Sequence, residues 1–332
     1  MYHLFNFGLV ISIFITSSLV LFILFFLIYF SFPLLTSGHF LDFFTLMWDE
    51  QKNLYGLMPM ILGTIYISIL ATLISAIMSF SFASLMAFFL PKNITNILNK
   101  FMLFISGVPT VLYAFIAIFL LVPWLNDILD GQGFSILTAS FVLSFVVLPT
   151  MTIILFNTFN STSKKTILAA KSLGATNEDI FFDLILKTSK KGIISAIILG
   201  FARAVGDTMI ALMIAGNSLK IPNSILDSAR TLTSHIALIN ASDYESTAFK
   251  AIFLCGLLLL VFSFLTVVSL KLINKESRWV EKLLYLCFFL VSIFSILILT
   301  IFFTFVFYKG FSSFSLEIIF DNVPILDAIL GK

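Results

Sequence analysis

Two opposite charges, Arg203 and Asp207, stand inside a long apolar stretch, Gly200-Phe201-Ala202-Arg203-Ala204-Val205-Gly206-Asp207-Thr208-Met209. Some ten mostly uncharged residues precede the arginine, and a dozen follow the aspartate before Lys220. A charge in hydrocarbon is costly, so such residues face a cavity, a partner or a substrate. Four residues is about one helical turn, so the spacing predicts both side chains on one helix face, within reach of each other. The chemistry open to them is anion recognition, by a guanidinium that stays charged and offers parallel donors, or proton exchange, by a carboxyl in an apolar setting.

The elements that carry the pair are membrane-spanning. The chain has 332 residues, 60% of them hydrophobic and 11% charged, with a net charge of +2. Soluble domains carry about 25% charged residues. The composition therefore reads as an all-α, polytopic integral membrane protein. No basic stripe suited to nucleic acid is present. Cys255 and Cys287 fall inside apolar runs and read as small fillers, and His3, His39 and His235 share no metal-ligand spacing. Apolar runs of spanning length lie at about 8–32, 57–90, 101–123, 134–156, 190–216, 249–271 and 283–308, giving about seven transmembrane helices. The first is too long for a signal-peptide core and lacks a small-residue cleavage site, so it is expected to be a retained anchor. The second is too long for one upright span, and Pro59 suits its first turn.

Segments 91–100, 157–191 and 271–282 hold 12 of the 19 Lys and Arg residues and five acids. The alternate segments hold six basic residues and 11 acids. Basic loops stay in the cytoplasm, which predicts a cytoplasmic N-terminus and, with seven spans, an extracytoplasmic C-terminus.

Segment 157–191 is the largest feature on the basic side. A short helix from about 165 is expected to end at Leu173, with Gly174 in the left-handed conformation. Thr176 then caps a second helix, with Asp179 in a capping-box position. Ala169, Ala170 and Gly174 make a small-residue patch that suits close approach of another surface. An amphipathic helix pair lying on the membrane and a docking element for a cytoplasmic protein both fit this pattern.

At this loop the sequence resembles a permease subunit of an ABC-type importer. That family carries Glu-Ala-Ala, three residues, then Gly. The matching residues are Ala169-Ala170 and Gly174-Ala175-Thr176, closing with Ile185-Leu186. Leu168 stands where the family has Glu, and Lys187 where it has Pro. The resemblance narrows at the charged pair. The string from Gly200 to Met209, continuing through Met213-Ile214-Ala215-Gly216-Asn217, is similar to the PstC family of phosphate importer permeases, with Asp207 in place of Glu. Gly107-Val108-Pro109-Thr110-Val111-Leu112-Tyr113, Leu148-Pro149-Thr150 and Thr231-Leu232-Thr233 extend the match over about 57–273.

The resemblance implies a MetI-like ABC importer permease fold and a phosphate substrate. Its implied partners are a second permease (PstA-like), two ABC ATPase subunits (PstB-like) and an extracytoplasmic phosphate-binding protein (PstS-like), all in the inner membrane or upon it. It implies a pathway at Arg203, Asp207 and Thr208, and an ATPase coupling loop at Leu168, Ala169, Ala170, Gly174, Ala175 and Thr176. No Gly-Lys-Ser/Thr phosphate-cradling motif is present, so ATP is expected on a partner and this chain is not expected to be an enzyme or to hold a cofactor or metal. In the expected resting state Asp207 neutralises Arg203, and passing phosphate competes for it; a purely structural ion pair fits the same spacing. A permease for sulfate, molybdate or another oxyanion, an ion-coupled secondary transporter titrating Asp207, and a substrate sensor are the alternatives. The expected organisation is an anchor helix and external loop at 1–56, the permease core at 57–273, and an extra helix and tail at 274–332. Segments 33–56 and 217–248 are the candidate docking surfaces for the binding protein. The tail weakly echoes 29–44 and the start of a PstA-type permease, which suggests the first half of a fused or split pair.

Overall fold

The structure is a computed structural model that describes residues 2–36, 43–49, 52, 54–129, 133–239 and 246–273. Leu27–Lys275 form one compact unit; a second unit is assigned to Met1–Phe26 with Glu276–Lys332, and among the described residues it holds only the first part of helix α1. The apolar run at 283–308 and the tail lie outside the described residues.

Helix α1 spans Tyr2–Thr36, and a two-stranded antiparallel hairpin follows, β1 (Trp48–Asp49) pairing β2 (Leu54–Tyr55). Next come α2 (Met58–Ser84), α3 (Lys92–Ser106), α4 (Thr110–Leu129) and α5 (Ile136–Asn160). The basic loop holds α6 (Lys164–Ser172), then α7 (Asn177–Asp179), a π-helical stretch at Ile180–Ile185, and α8 (Leu186–Thr188). The chain ends its described part with α9 (Lys190–Val205), α10 (Met209–Ile214), α11 (Leu232–Leu238) and α12 (Thr247–Ile273).

Among the described residues four helices are long and apolar enough to cross a membrane: Met58–Phe89, Thr110–Ile128, Ile136–Asn160 and Thr247–Leu272. The first of these runs 32 residues, α2 continuing through a π-helical stretch at Leu85–Phe89, with proline in its first turn as expected. At about 1.5 Å per residue it exceeds the hydrocarbon thickness. Two runs expected to be single helices are broken. The run at 101–123 splits between α3 and α4 at Gly107-Val108-Pro109, where the proline cannot continue the i→i−4 ladder. The run at 190–216 splits between α9 and α10 at Gly206-Asp207-Thr208.

The frame is α2 packed on α5. The buried positions of α2 recur every three or four residues: Thr64, Ser68, Ala71, Thr72, Ser75, Ser79 and Ala83. Small side chains let two helices approach closely where surrounding lipid supplies no hydrophobic drive for their association. Two hydroxyls then bond across the seam: Ser140 Oγ donates to the Ile67 carbonyl at 3.2 Å and Ser79 Oγ to the Leu148 carbonyl at 3.0 Å. Helix α5 starts cleanly because the Ser135 hydroxyl accepts the Thr138 amide.

At the basic end of this frame Phe159 and Phe181 are fully enclosed. Phe181 lies edge-on to Phe159 at 5.7 Å and against Phe88 at 5.3 Å, so the loop helix is pinned to the ends of α2 and α5. Truncating such a ring costs about 3–5 kcal/mol. Phe181→Ala is therefore expected to lower the thermal midpoint of the purified protein and to open segment 164–188 to limited proteolysis. An unchanged midpoint with an unchanged digest would contradict this anchoring.

Candidate translocation and coupling sites

Two helix breaks and the proline-bearing part of α5 converge on Arg203 and Asp207. The first lies between them. Helix α9 ends at Val205, Gly206 forms its C-cap, and Asp207 Oδ1 accepts the Ile210 amide at 2.9 Å to start α10. The two charges are thus not neighbours on one helical face. Arg203 occupies the last turn of one helix, where the carbonyl-rich end favours a cation, and Asp207, just before the N-cap Thr208, accepts an amide from the first turn of the next. Among the described residues the ion pairs are Lys52–Asp49 and Lys187–Asp183, and Arg203 and Asp207 do not close to ion-pair distance. The expected closed pair is replaced by separate main-chain partners.

The second element is α5, which stays helical across Pro149. Arg203 Nε donates to the Val146 carbonyl at 3.2 Å, three residues before Pro149 inside that helix. A helix-interior proline lacks an N–H and disturbs the carbonyl ladder beside it, which makes main-chain acceptors available to a side chain. Pro149 thus stands at the level where α5 meets the guanidinium. The third is the α3–α4 break. It places Thr110 beside the Asp207 carboxyl and Tyr113 within electrostatic reach of Arg203. Tyr113 is held by its hydroxyl, which donates to the Ile105 carbonyl at 3.1 Å across the same break. From α11, Thr233 Oγ1 donates to the Asp207 carbonyl at 3.0 Å. Thr110, Tyr113 and Thr233 were quoted in the sequence strings without a role, and their convergence needs the fold.

Arg203 and Gly206 are exposed on this chain, while Asp207 and Thr208 are half-buried at the same break. Thr208 contributes its carbonyl to the Leu212 amide, and its hydroxyl does not cap α10. The break therefore presents an exposed arginine fixed through Nε, with no hydrogen bond to its terminal nitrogens among the described residues. Behind it Gly200 is buried against Met151 and Val147, and a Cβ there would overlap the Met151 side chain. Overpacking of this kind costs about 1–3 kcal/mol. Gly200→Val is expected to destabilise the protein by that amount in thermal or denaturant unfolding, since α9 must move off α5; a neutral effect would contradict the close approach.

The coupling-loop residues form a compact helix-turn-helix. Gly174 has φ +87°, and the Ala175 amide reaches back to the Ala170 carbonyl at 3.1 Å while the Gly174 amide bonds that of Lys171 at 3.0 Å. This is a Schellman ending, which glycine permits. Ala170 and Ala175 turn inward with Ile167 against the Phe181 cluster. The outward surface is Leu168, Ala169, Leu173 and Gly174, with Leu173 89% exposed and Leu168 63% exposed. Leu173 was expected only as a helix end.

The Thr176 amide and hydroxyl donate to Asp179 Oδ2 at 2.9 and 2.7 Å, and the Asp179 amide returns a bond to Thr176 Oγ1. These bonds, the side-chain one first, hold the Asp179 carboxyl below its usual range. A lowered carboxyl stabilises above its unfolded value and releases only as pH falls through its folded value. Amide exchange at 176–180, corrected for intrinsic rates, is thus expected to stay slow at neutral pH and to quicken only under acid, whereas Asp179→Asn is expected to quicken it already at neutral pH.

Comparison with known proteins places the chain among relatives. A family model described as the binding-protein-dependent transport system inner membrane component matches residues 79–276. The chain is 30% identical over 243 residues to the probable ABC transporter permease protein YqgH of Bacillus subtilis, covering 72% of this chain and 79% of that protein. It is 26% identical over 261 residues to the phosphate transport system permease protein PstC of Xylella fastidiosa, covering 71% and 80%. It is 28% identical over 265 residues to the probable PstC of Methanocaldococcus jannaschii, covering 72% and 82%. Among solved structures, an inward-facing conformation of the MetNI methionine ABC transporter aligns with a TM-score of 0.49 at 13% identity, covering 66% of this chain and 98% of that one. With a matched region that takes in α5, both candidate sites and all of α12, the chain belongs to the binding-protein-dependent ABC importer permeases, in the PstC family.

Proposed function

We propose that this permease carries inorganic phosphate inward as part of an ATP-driven importer, with Arg203 on the route. The observation that carries the reading is a guanidinium anchored by main chain and left exposed on the chain's own surface, at a break in otherwise apolar helices. Broken helices at membrane depth line cavities, because irregular backbone facing lipid would leave polar groups unsatisfied. An exposed guanidinium at such a place suits a multivalent oxyanion, whose hydration shell has to be replaced as it crosses. The PstC relatives make phosphate the substrate of choice.

In this reading a second permease (PstA-like) faces the Arg203 surface and completes the conduit. An extracytoplasmic binding protein (PstS-like) delivers phosphate to the outer side. Two ATPase subunits (PstB-like) bind ATP and receive the outward face of α6, Leu168, Ala169 and Leu173, in an apolar cleft. The basic loops lie in the cytoplasm and the N-terminus with them.

The test is ATP-driven uptake of radiolabelled phosphate by the reconstituted transporter with Arg203→Gln. The complex is expected to assemble and hydrolyse ATP while uptake falls roughly a hundredfold, the scale of losing a charge-assisted contact to an ion. Normal uptake in this variant, or loss of the assembled complex itself, would overturn the pathway role.

A further inference from the structure

Arg203 and Asp207 open onto the same break without meeting, and that separation has a chemical consequence. The guanidinium spends Nε on the Val146 carbonyl, and among the described residues its two terminal nitrogens make no hydrogen bond or ion pair, in a residue that is exposed on this chain. The Asp207 carboxyl takes the Ile210 amide on Oδ1 and has the Thr110 hydroxyl beside it. Both of these neighbours are donors, the surroundings of a group that serves as an acceptor, and two carboxylate oxygens offer about four lone-pair sites. Acceptor capacity therefore remains at the mouth of the break, next to a cation that Asp207 does not neutralise by contact.

A ligand that spans both groups needs anionic oxygens at one end and an O–H donor at the other. Orthophosphate has both at neutral pH, since it keeps at least one proton. Arsenate has the same pattern. Sulfate carries no proton there, so every oxygen it could turn toward Asp207 is an acceptor bearing negative charge, and the approach is repulsive. We propose that Asp207 is a specificity-determining residue, which admits a protonated oxyanion by accepting its O–H and rejects a fully ionised one. The inference rests on the pathway reading above and adds the selection rule. A site built to accept a ligand's O–H discriminates strongly against the analogue that lacks it, because its own acceptor is left unpaired.

The test must bypass the binding protein, which filters the anion first. The intact complex of this chain with its partner permease and ATPases, without binding protein, is loaded with radiolabelled phosphate. Displacement is then followed with unlabelled phosphate, arsenate and sulfate. In the wild type, phosphate and arsenate are expected to displace the label at similar concentrations, with sulfate at least roughly tenfold weaker. In Asp207→Asn, which offers an amide donor, sulfate is expected to recover that tenfold relative to phosphate, and Asp207→Ser to recover part of it. Asp207→Glu is expected to retain the preference.

Sulfate displacing as well as phosphate from the wild type overturns the selection rule whatever the variants do. An unchanged preference in Asp207→Asn and Asp207→Ser, in complexes that assemble, overturns it too. Phosphate binding as tight in Arg203→Gln as in the wild type instead overturns the pathway reading, and the selection rule with it.

Discussion

An arginine set among apolar helices has to find acceptors, and the main-chain carbonyls of its neighbours are the ones at hand. Everything at this site follows from that constraint. Arg203 takes the Val146 carbonyl at the level of a proline in α5, and it sits in the last turn of α9. Asp207 begins the next helix instead of closing on Arg203. Each charge has a main-chain partner of its own, so neither has to consume the other. The guanidinium is held in place and still available. A direct ion pair would have held it and hidden it.

The rest of the bundle keeps those partners in register. The hydroxyl and small-residue seam between α2 and α5 sets how closely the two helices lie, and Gly200 lets α9 lie on α5 at the distance Arg203 needs. The α3–α4 break delivers Thr110 and Tyr113 to the same level, and Thr233 ties α11 to the carbonyl of Asp207. At the other end of the same frame, the Phe159–Phe181 contact fixes the base of the coupling loop. The loop and Arg203 thus both contact α5, one at its end and the other at Val146.

Much of this was legible before any coordinates. The loop was read nearly residue by residue, because Gly174, Thr176 and Asp179 carry local chain-ending and capping chemistry that acts over three or four residues. The helix breaks were misread for the opposite reason. Hydropathy runs unbroken across Gly206 and across Gly107, and apolar length alone cannot separate one span from two shorter helices. The signals present were glycine followed by a capping aspartate, and glycine before proline. The Val146 carbonyl could not have been found, since a main-chain acceptor leaves no mark in the side-chain sequence. The seam on α2 was visible in the spacing of Thr64, Ser68, Thr72, Ser75 and Ser79, but hydroxyls that bond main chain resemble any scattered polar residues until the partner helix is placed.

The central claim is that the break at Arg203 faces water in the assembled transporter. Cysteine accessibility at Gly206, the exposed residue between the two charges, tests it most directly. With Cys255 and Cys287 replaced by alanine, Gly206→Cys is expected to react with a membrane-impermeant, charged thiol reagent in the intact complex, and millimolar phosphate is expected to slow the reaction. Reaction only with a lipid-soluble maleimide, unaffected by phosphate, would place the break against acyl chains and contradict the account.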